Sequence, residues 1–286
     1  MIEISQLDEL RAQLKRWRDA GETVSLVPTM GNLHEGHLEL VRQARQRADR
    51  CVVSLFVNPM QFGEGEDFGG YPRTYADDRK KLLKVGVDLL FAPGVEVVYP
   101  KAAAEQTRVE VPGASDILCG ASRPGHFIGV ATVVCKLFNM IQPDCAIFGE
   151  KDFQQLMIIR QMVDDLHMPV EVVGVPTVRE SDGLAKSSRN GYLKHEERSI
   201  ANCLYKTLLK TSTLIEEGGS DYSDLEQSAV TELEAAGFRP DYFSIRRAAD
   251  LFIPDSDDKE LVILGAARLG KARLIDNLKV TRKTPD

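Results

Sequence analysis

Short apolar runs alternate with amphipathic stretches through the first 176 residues of the chain. The runs are rich in β-branched residues, and the stretches between them carry apolar side chains at helical spacing. The apolar runs lie at 23–28, 51–57, 87–91, 145–148 and 170–175. Buried parallel strands joined by right-handed helical crossovers produce this pattern. The sequence therefore predicts an α/β domain with a doubly wound parallel sheet over residues 1–176.

The helices of this domain are expected at 35–48, 74–84 and 156–166, and the Asp, Arg and Lys side chains of 74–84 are expected to face water. After Pro176 the pattern changes to two helical stretches followed by strand-like runs. These segments lie at 195–217, 222–236, 242–246, 261–266 and 273–275. Helices followed by strands favour a separate, smaller α+β domain over residues 177–286.

The charge balance bears on the partners of the protein. Lys and Arg number 36 against 43 Asp and Glu, a formal net charge of −7, which disfavours binding of a large nucleic acid. No run of 18 apolar residues is present, and the first twenty residues lack the apolar centre of a signal peptide. We therefore expect a soluble, cytoplasmic protein that binds no membrane. The five cysteines show no CxxC spacing and are expected to be reduced and packed, without a zinc site.

The first candidate site is the segment 28–37, which follows the first predicted strand. His34 and His37 stand at the start of a helix, where we expect their ring N–H groups and the free backbone amides to face one anion. Gly31 and Gly36 let a phosphate or purine approach the backbone. A metal site is disfavoured because the spacing is not HExxH. A structural role for the two histidines is the alternative.

Two further segments offer cations for phosphates. Residues 186–190 place two serines and two cations on a glycine-bearing loop, which suits a polyphosphate, although a solvated basic turn is the alternative. Residues 148–155 follow the fourth predicted strand. There Gly149 permits a sharp turn, Lys151 can neutralise a phosphate, and Asp152 can accept from ribose hydroxyls or cap a helix.

Other segments suit a small organic ligand. Asn58 and Gln61 follow the second predicted strand among apolar residues, so they suit a polyol or hydroxy acid, or serve only as turn formers. The glycine-rich segment 63–71 is a plausible lid. Arg123 and His126 place a cation and an imidazole on what we expect to be a loop with two glycines.

Taken together, the motifs resemble the pantothenate synthetase (pantoate–β-alanine ligase) family of the nucleotidylyltransferase superfamily. The matching segments are 28–37, 56–62, 71–74, 123–127, 148–155 and 187–190, with a looser match at 276–277. The resemblance implies a Rossmann-like fold and a two-step reaction. ATP and (R)-pantoate give pantoyl adenylate and pyrophosphate, and the amine of β-alanine then gives pantothenate and AMP. It also implies Mg²⁺ and a cytosolic homodimer.

The resemblance also implies roles for individual residues. The catalytic residues are His34, His37, Lys151 and Arg189. The expected ATP-binding residues are Met30, His34, His37, Gly149, Lys151, Asp152, Val178, Lys186, Ser187, Ser188 and Arg189. The expected pantoate and β-alanine contacts are Asn58, Gln61, Arg123, His126 and Gln155. Lys186 and Ile128 depart from the residues that the family commonly has at these positions.

Two other function classes stay open at this point. Another HxGH nucleotidylyltransferase acting on a different small substrate shares the histidine motif and the late basic loop. Asn58, Gln61 and Gln155 suit an uncharged hydroxyl-bearing ligand better than a second phosphate. An ATP-binding regulatory module would need neither these amides nor the late loop. An aminoacyl-tRNA synthetase is disfavoured by the net charge and the small size of the region after Pro176.

Overall fold

The computed structural model of this protein describes residues 1–63, 68–102 and 105–283. Residues 64–67, which belong to the predicted lid segment, lie outside the described residues. Contacts between Cα atoms divide the chain into two compact units. The first unit comprises Met1–Glu150 and Ile158–Pro176, and the second comprises Lys151–Met157 and Thr177–Asp286.

The first unit is built on a parallel sheet, as the alternating apolar runs predicted. Its described strands are β1 (Ile2–Ile4), β2 (Val24–Thr29), β3 (Arg50–Leu55), β4 (Leu89–Phe91), β5 (Cys145–Gly149) and β6 (Glu171–Val175). Their order is β1-β4-β3-β2-β5-β6, and every neighbouring pair is parallel. Strand β1 was not predicted, because three residues carry too little pattern to be recognised. Val53 and Ile147, near the middle of β3 and β5, are fully buried.

The described α-helices between residues 1 and 176 are α1 (Leu7–Asp19), α2 (Glu35–Arg45), α3 (Tyr75–Val85), α4 (Val95–Val98), α5 (Cys119–Ser122), α6 (His126–Ile141) and α7 (Phe153–Asp165). Helix α6 was not predicted; most of its residues are apolar and buried. The expectation that His126 lies on a loop was wrong, since His126 is the first residue of α6.

Cysteine packing agrees with the prediction. All five cysteines are free thiols. Burial raises the pKa of the Cys51 thiol to about 12 and that of the Cys145 thiol to about 11, and both residues lie in the apolar core of the first unit. These side chains therefore act as small apolar residues.

The second unit combines helices with an antiparallel sheet. Its described elements from residue 195 onward are α8 (His195–Ile200), α9 (Cys203–Glu216), α10 (Tyr222–Ala235), β7 (Arg239–Arg247), β8 (Glu260–Leu269) and β9 (Ala272–Thr281). The sheet order is β7-β8-β9, and Leu204, Leu208, Ile245 and Ile263 are buried in its core. The predicted helix at 195–217 is divided at Ala201–Asn202 into α8 and α9.

One close approach fixes the turn that follows β3. A β-carbon added to Gly129, in α6, would lie 2.3 Å from the carbonyl oxygen of Met60 and 2.7 Å from the amide nitrogen of Gln61. Only glycine permits this contact between α6 and the 3₁₀ helix Pro59–Gln61. The turn that carries Gln61 is therefore packed directly on the backbone of α6.

We expect Gly129→Ala to destabilise the protein by about 1–3 kcal/mol, because the added methyl group overpacks this contact. The urea midpoint of unfolding measures the effect. Gly69→Ala is the matched control, since a β-carbon there would have no atom within 4 Å and the backbone is not left-handed. Equal midpoints for the two variants would contradict the close approach.

Candidate active site

The first unit places its candidate residues at the point where the strand order of the sheet reverses. Strand β2 pairs with β3 on one side and with β5 on the other. The strands that follow β2 along the chain therefore extend the sheet first in one direction and, from β5 onward, in the opposite direction. Ligands of doubly wound sheets bind outside the carboxyl ends of the strands at such a point. Met30 follows β2, and Gly149 ends β5.

His34 and His37 lie side by side at the start of α2. Their ring centroids are 4.1 Å apart, and the ring planes are inclined by 41°. His34 Nδ1 accepts from the amide of Gly36 at 3.2 Å, and His37 Nδ1 accepts from the amide of His34 at 3.3 Å. A neutral ring whose Nδ1 accepts carries its proton on Nε2. Both histidines can therefore donate from Nε2.

This arrangement corrects one detail of the sequence analysis. The backbone amides of His34 and Gly36 are not left for an anion, because they donate to the two imidazoles. The two rings cap the helix by accepting these N–H groups, and their own Nε2–H groups are then the donors at the helix start. A structural capping role and a binding role therefore coexist in the same side chains.

The turn between β2 and α2 is held by a residue that sequence reasoning missed. Asp78, in α3, is fully buried, whereas the acidic side chains of this helix were expected to face water. Its carboxylate accepts from the amide of Asn32 at 2.8 Å and from the amide of Leu33 at 2.7 Å. The hydroxyl of Thr74 donates to the same group at 2.9 Å. The sequence Asp77-Asp78 in a charged helix does not indicate that Asp78 is buried.

Asn58 and Gln61 belong to a buried network of amides. Asn58 Nδ2 donates to Gln61 Oε1 at 3.2 Å and to the carbonyl of Gly129 at 3.0 Å. The hydroxyl of Tyr99 donates to Asn58 Oδ1 at 2.8 Å. Burial raises the pKa of the Tyr99 phenol, so this hydroxyl keeps its proton. Gln61 Nε2 lies 3.1 Å from Met30 Sδ, which connects this network to the residue that follows β2.

Arg123 and His126 meet at Gln61, although helices α3, α4 and α5 separate them from it in sequence. His126 Nδ1 lies 2.8 Å from the carbonyl oxygen of Gln61, so Nδ1 carries the proton. Nε2 of the same ring is then an acceptor for Arg123 Nη1 at 2.9 Å. Arg123 Nη2 also donates to the Gln61 carbonyl at 3.3 Å. The structure therefore brings together four of the five predicted pantoate and β-alanine residues.

In the second unit, Lys151 and Ser187 line one small cavity together with Asn190 and Asp276. The carbonyl of Lys151 accepts from Asn277 Nδ2 at 2.9 Å, which fixes the backbone at this lysine. Asp152 is about half exposed and lies 3.9 Å from the Lys151 ammonium group. Gln155, the fifth predicted substrate residue, is partly buried at the start of α7.

The late basic loop, residues 186–190, follows a short hairpin in which Arg179 and Ala185 form a β-bridge. Arg179 makes a bidentate pair with the buried Asp276 at 2.6 and 2.9 Å, and its guanidinium lies 3.6 Å from the ring centre of Tyr205. This clamp was not predicted. Its partners are distant in sequence, so no local pattern indicates it.

Beyond the hairpin, Ser187 caps the 3₁₀ helix Ser188–Tyr192 by accepting from the amide of Arg189 at 3.2 Å. Lys186 donates its amide to the carbonyl of Val178 at 2.9 Å, and its ammonium group pairs with Glu180 at 2.9 Å. The ammonium group of Lys186 therefore has a carboxylate partner, which the sequence analysis did not predict.

Within the first unit, the imidazoles of His34 and His37 suit an anion and the amide of Gln61 suits a hydroxyl-bearing ligand. The second unit by itself offers the cations of Lys151 and Arg189. Among residues 1–63, 68–102 and 105–283, no group of three or more His, Cys, Asp or Glu side chains is arranged to hold a metal ion. No helix of the described residues is long and apolar enough to cross a lipid bilayer.

Comparisons with known proteins agree with this geometry. The family model for pantoate-beta-alanine ligase matches residues 3–279. A pantothenate synthetase from Marinobacter nauticus is 57% identical over 282 residues, which cover 99% of this chain and 100% of the relative. One from Idiomarina loihiensis is 59% identical over 270 residues, covering 94% of this chain and 96% of the relative.

Solved structures give the same result. The pantothenate synthetase from Thermus thermophilus has a TM-score of 0.90 at 51% identity, covering 97% of this chain and 99% of that chain. A pantoate-beta-alanine ligase from Francisella tularensis, complexed with beta-gamma ATP and beta-alanine, has a TM-score of 0.82 at 33% identity and covers 97% of each chain. The chain belongs to the pantoate-beta-alanine ligase family, whose members are pantothenate synthetases that form an amide bond.

Proposed function

We propose that this protein condenses (R)-pantoate with β-alanine at the expense of ATP, through a pantoyl adenylate, and releases AMP and pyrophosphate. The observation that carries the proposal is the pair of imidazoles at the switch point of the sheet, each of which accepts a backbone N–H at Nδ1. Two such imidazoles at a helix start suit a triphosphate. The related structure with bound ATP and β-alanine supports the choice of substrates.

The proposed chemistry needs alignment and charge neutralisation, without a covalent enzyme intermediate. A carboxylate oxygen of pantoate attacks the α-phosphorus of ATP, and the bond to the leaving pyrophosphate breaks. His34, His37, Lys151 and Arg189 donate to the phosphate oxygens as negative charge builds on them. The neutral amine of β-alanine then attacks the carbonyl carbon of the adenylate and expels AMP, and the proton that the amine loses passes to water or to the phosphate of the adenylate.

The remaining site residues divide among the nucleotide, pantoate and β-alanine. Met30, Gly149, Asp152 and Val178 border the nucleotide, and Lys186, Ser187 and Ser188 follow its phosphates. For Lys186 this role requires release of its pair with Glu180. The amides of Gln61 and Gln155 bind the hydroxyl groups and carboxylate of pantoate. Asn58 was expected to touch the substrate as well, but its amide is buried and bonded to Gln61, Gly129 and Tyr99, so it holds Gln61 in place instead. Arg123 and His126 complete the end of the site at which pantoate and β-alanine meet.

We assign ATP and pantoate binding to the Rossmann-like domain over residues 1–176 and the late basic loop to the domain over residues 177–286. Mg²⁺ enters as part of the MgATP substrate, since the described residues offer no cluster of ligands for a protein-bound ion. We further propose that the protein is a cytoplasmic homodimer. Light scattering on the purified protein then gives about twice the mass of one chain, and the mass of a single chain would contradict this assembly.

The reaction is tested in two stages with one preparation. The protein is incubated with MgATP and pantoate, and pyrophosphate is followed; β-alanine is then added, and AMP and pantothenate are followed. Pantoate-dependent exchange of labelled pyrophosphate into ATP without β-alanine is expected, because the adenylate forms reversibly. Exchange that does not depend on pantoate, or depends instead on another acid, would favour the alternative nucleotidylyltransferase.

We expect His37→Ala and Lys151→Ala each to slow pantoate-dependent pyrophosphate exchange by about 100-fold or more, since loss of one such donor costs about 3 kcal/mol of barrier. Both variants should keep the far-UV circular dichroism of the wild type. His195→Ala, an exposed histidine at the start of α8, is the control and should exchange normally. Near-normal exchange by both site variants would refute the assignment.

We expect Tyr99→Phe to raise the KM for pantoate by about 3- to 10-fold and to leave the KM for ATP unchanged, because Asn58 loses one of the hydrogen bonds that orient its amide. Steady-state kinetics with each substrate varied in turn measure the two constants. Tyr75→Phe is the matched control, because the Tyr75 hydroxyl is exposed and donates to Glu3. An unchanged KM for pantoate in Tyr99→Phe would contradict this role.

A further inference from the structure

The turn that carries the two histidines has an unusual backbone. Gly31 and Asn32 both have positive φ, at +85° and +50°. The left-handed region is open to glycine but costs other residues free energy, even asparagine. An external partner for the backbone amides stabilises two such residues in succession. The amides of Asn32 and Leu33 find that partner in Asp78, and each donates to a different oxygen of the carboxylate.

The buried carboxylate of Asp78 in turn needs the hydrogen bonds that the turn donates. Its side chain has no exposed surface, so its charge must be satisfied by donors within the protein. Those donors are the two turn amides and the hydroxyl of Thr74. Because the Gly31 backbone lies so close that a β-carbon would be 3.2 Å from Asp78 Oδ2, the carboxylate has little room to move.

A second side chain of α3 holds the same turn. Lys81 Nζ donates to the carbonyl of Leu33 at 2.6 Å. Asp78 and Lys81 are three residues apart in α3 and therefore lie on the same face of the helix. Both backbone groups of Leu33, the residue directly before His34, are thus bonded to α3.

We propose that Asp78 is a positioning residue for adenylate formation, assisted by Lys81. It fixes the turn, and through the turn it sets where the Nε2–H groups of His34 and His37 point. It acts through the histidines and does not itself touch substrate. The inference rests on the proposed function, because the histidines matter in this way only if they bind the triphosphate.

Asp78→Asn tests the proposal while keeping the size of the side chain. An amide presents an NH₂ group to one of the two turn amides, so one hydrogen bond is replaced by two opposed donors. Pantoate-dependent pyrophosphate exchange should fall by about 10- to 100-fold, the effect of a small misplacement of binding groups. Asp77→Asn, one residue away and largely exposed, should exchange at the wild-type rate.

A double-mutant cycle separates positioning from general loss of structure. If Asp78 acts through the imidazoles, Asp78→Asn should slow the His37→Ala variant much less than it slows the wild type. The attack of β-alanine on separately supplied pantoyl adenylate should also be nearly unchanged, because the triphosphate contacts are no longer needed. Normal exchange by folded Asp78→Asn, or fully multiplicative losses in the double variant, would overturn the proposal.

Lys81→Met decides the question if Asp78→Asn does not fold, since it removes a donor without leaving a buried charge unpaired. Slower exchange that is again non-multiplicative with His37→Ala supports the proposal, and wild-type exchange by Lys81→Met overturns it. The proposed function fails separately, if the wild-type protein itself shows no pantoate-dependent exchange.

Discussion

Two consecutive backbone amides that donate to one buried carboxylate set the geometry of the β2–α2 turn. The turn must connect a buried strand to a helix within a few residues, and it does so through two left-handed residues. The position of the helix start, and with it the capping of α2 by His34 and His37, depends on that conformation. The donor groups proposed for the triphosphate are therefore fixed before any ligand binds, which is what electrostatic stabilisation of a transition state requires.

Buried hydrogen bonds also hold the other candidate residues in place. Gln61 is held by Asn58, which Tyr99 and the carbonyl of Gly129 hold in turn. In the second unit, the pair of Arg179 with buried Asp276 fixes the hairpin that leads to the basic loop. Such pairs contribute little net stability compared with apolar packing, but loss of one partner leaves a buried charge unpaired. Their value in this protein is to fix the direction of the binding groups.

Much of the fold could be predicted from the sequence, because five of the six strands of the parallel sheet are apolar runs bounded by amphipathic helices. Strand β1 has only three residues, and α6 is mostly apolar, so neither was predicted. The candidate binding segments were predicted because their motifs follow one another along the chain in the order typical of one family, and the roles of their residues stay predictions. Asp78, Tyr99 and Arg179 could not be found, since each is defined by a partner that only the folded chain brings near.

In the proposed function, the histidine pair and the Ser187–Arg189 loop bind one triphosphate. A crystal structure with a non-hydrolysable ATP analogue and pantoate tests this arrangement. We expect Nε2 of both histidines and the guanidinium of Arg189 to lie about 3 Å from oxygens of the same triphosphate. We also expect a pantoate carboxylate to face the α-phosphorus. Imidazoles and an arginine that face separate cavities around the bound nucleotide would contradict it.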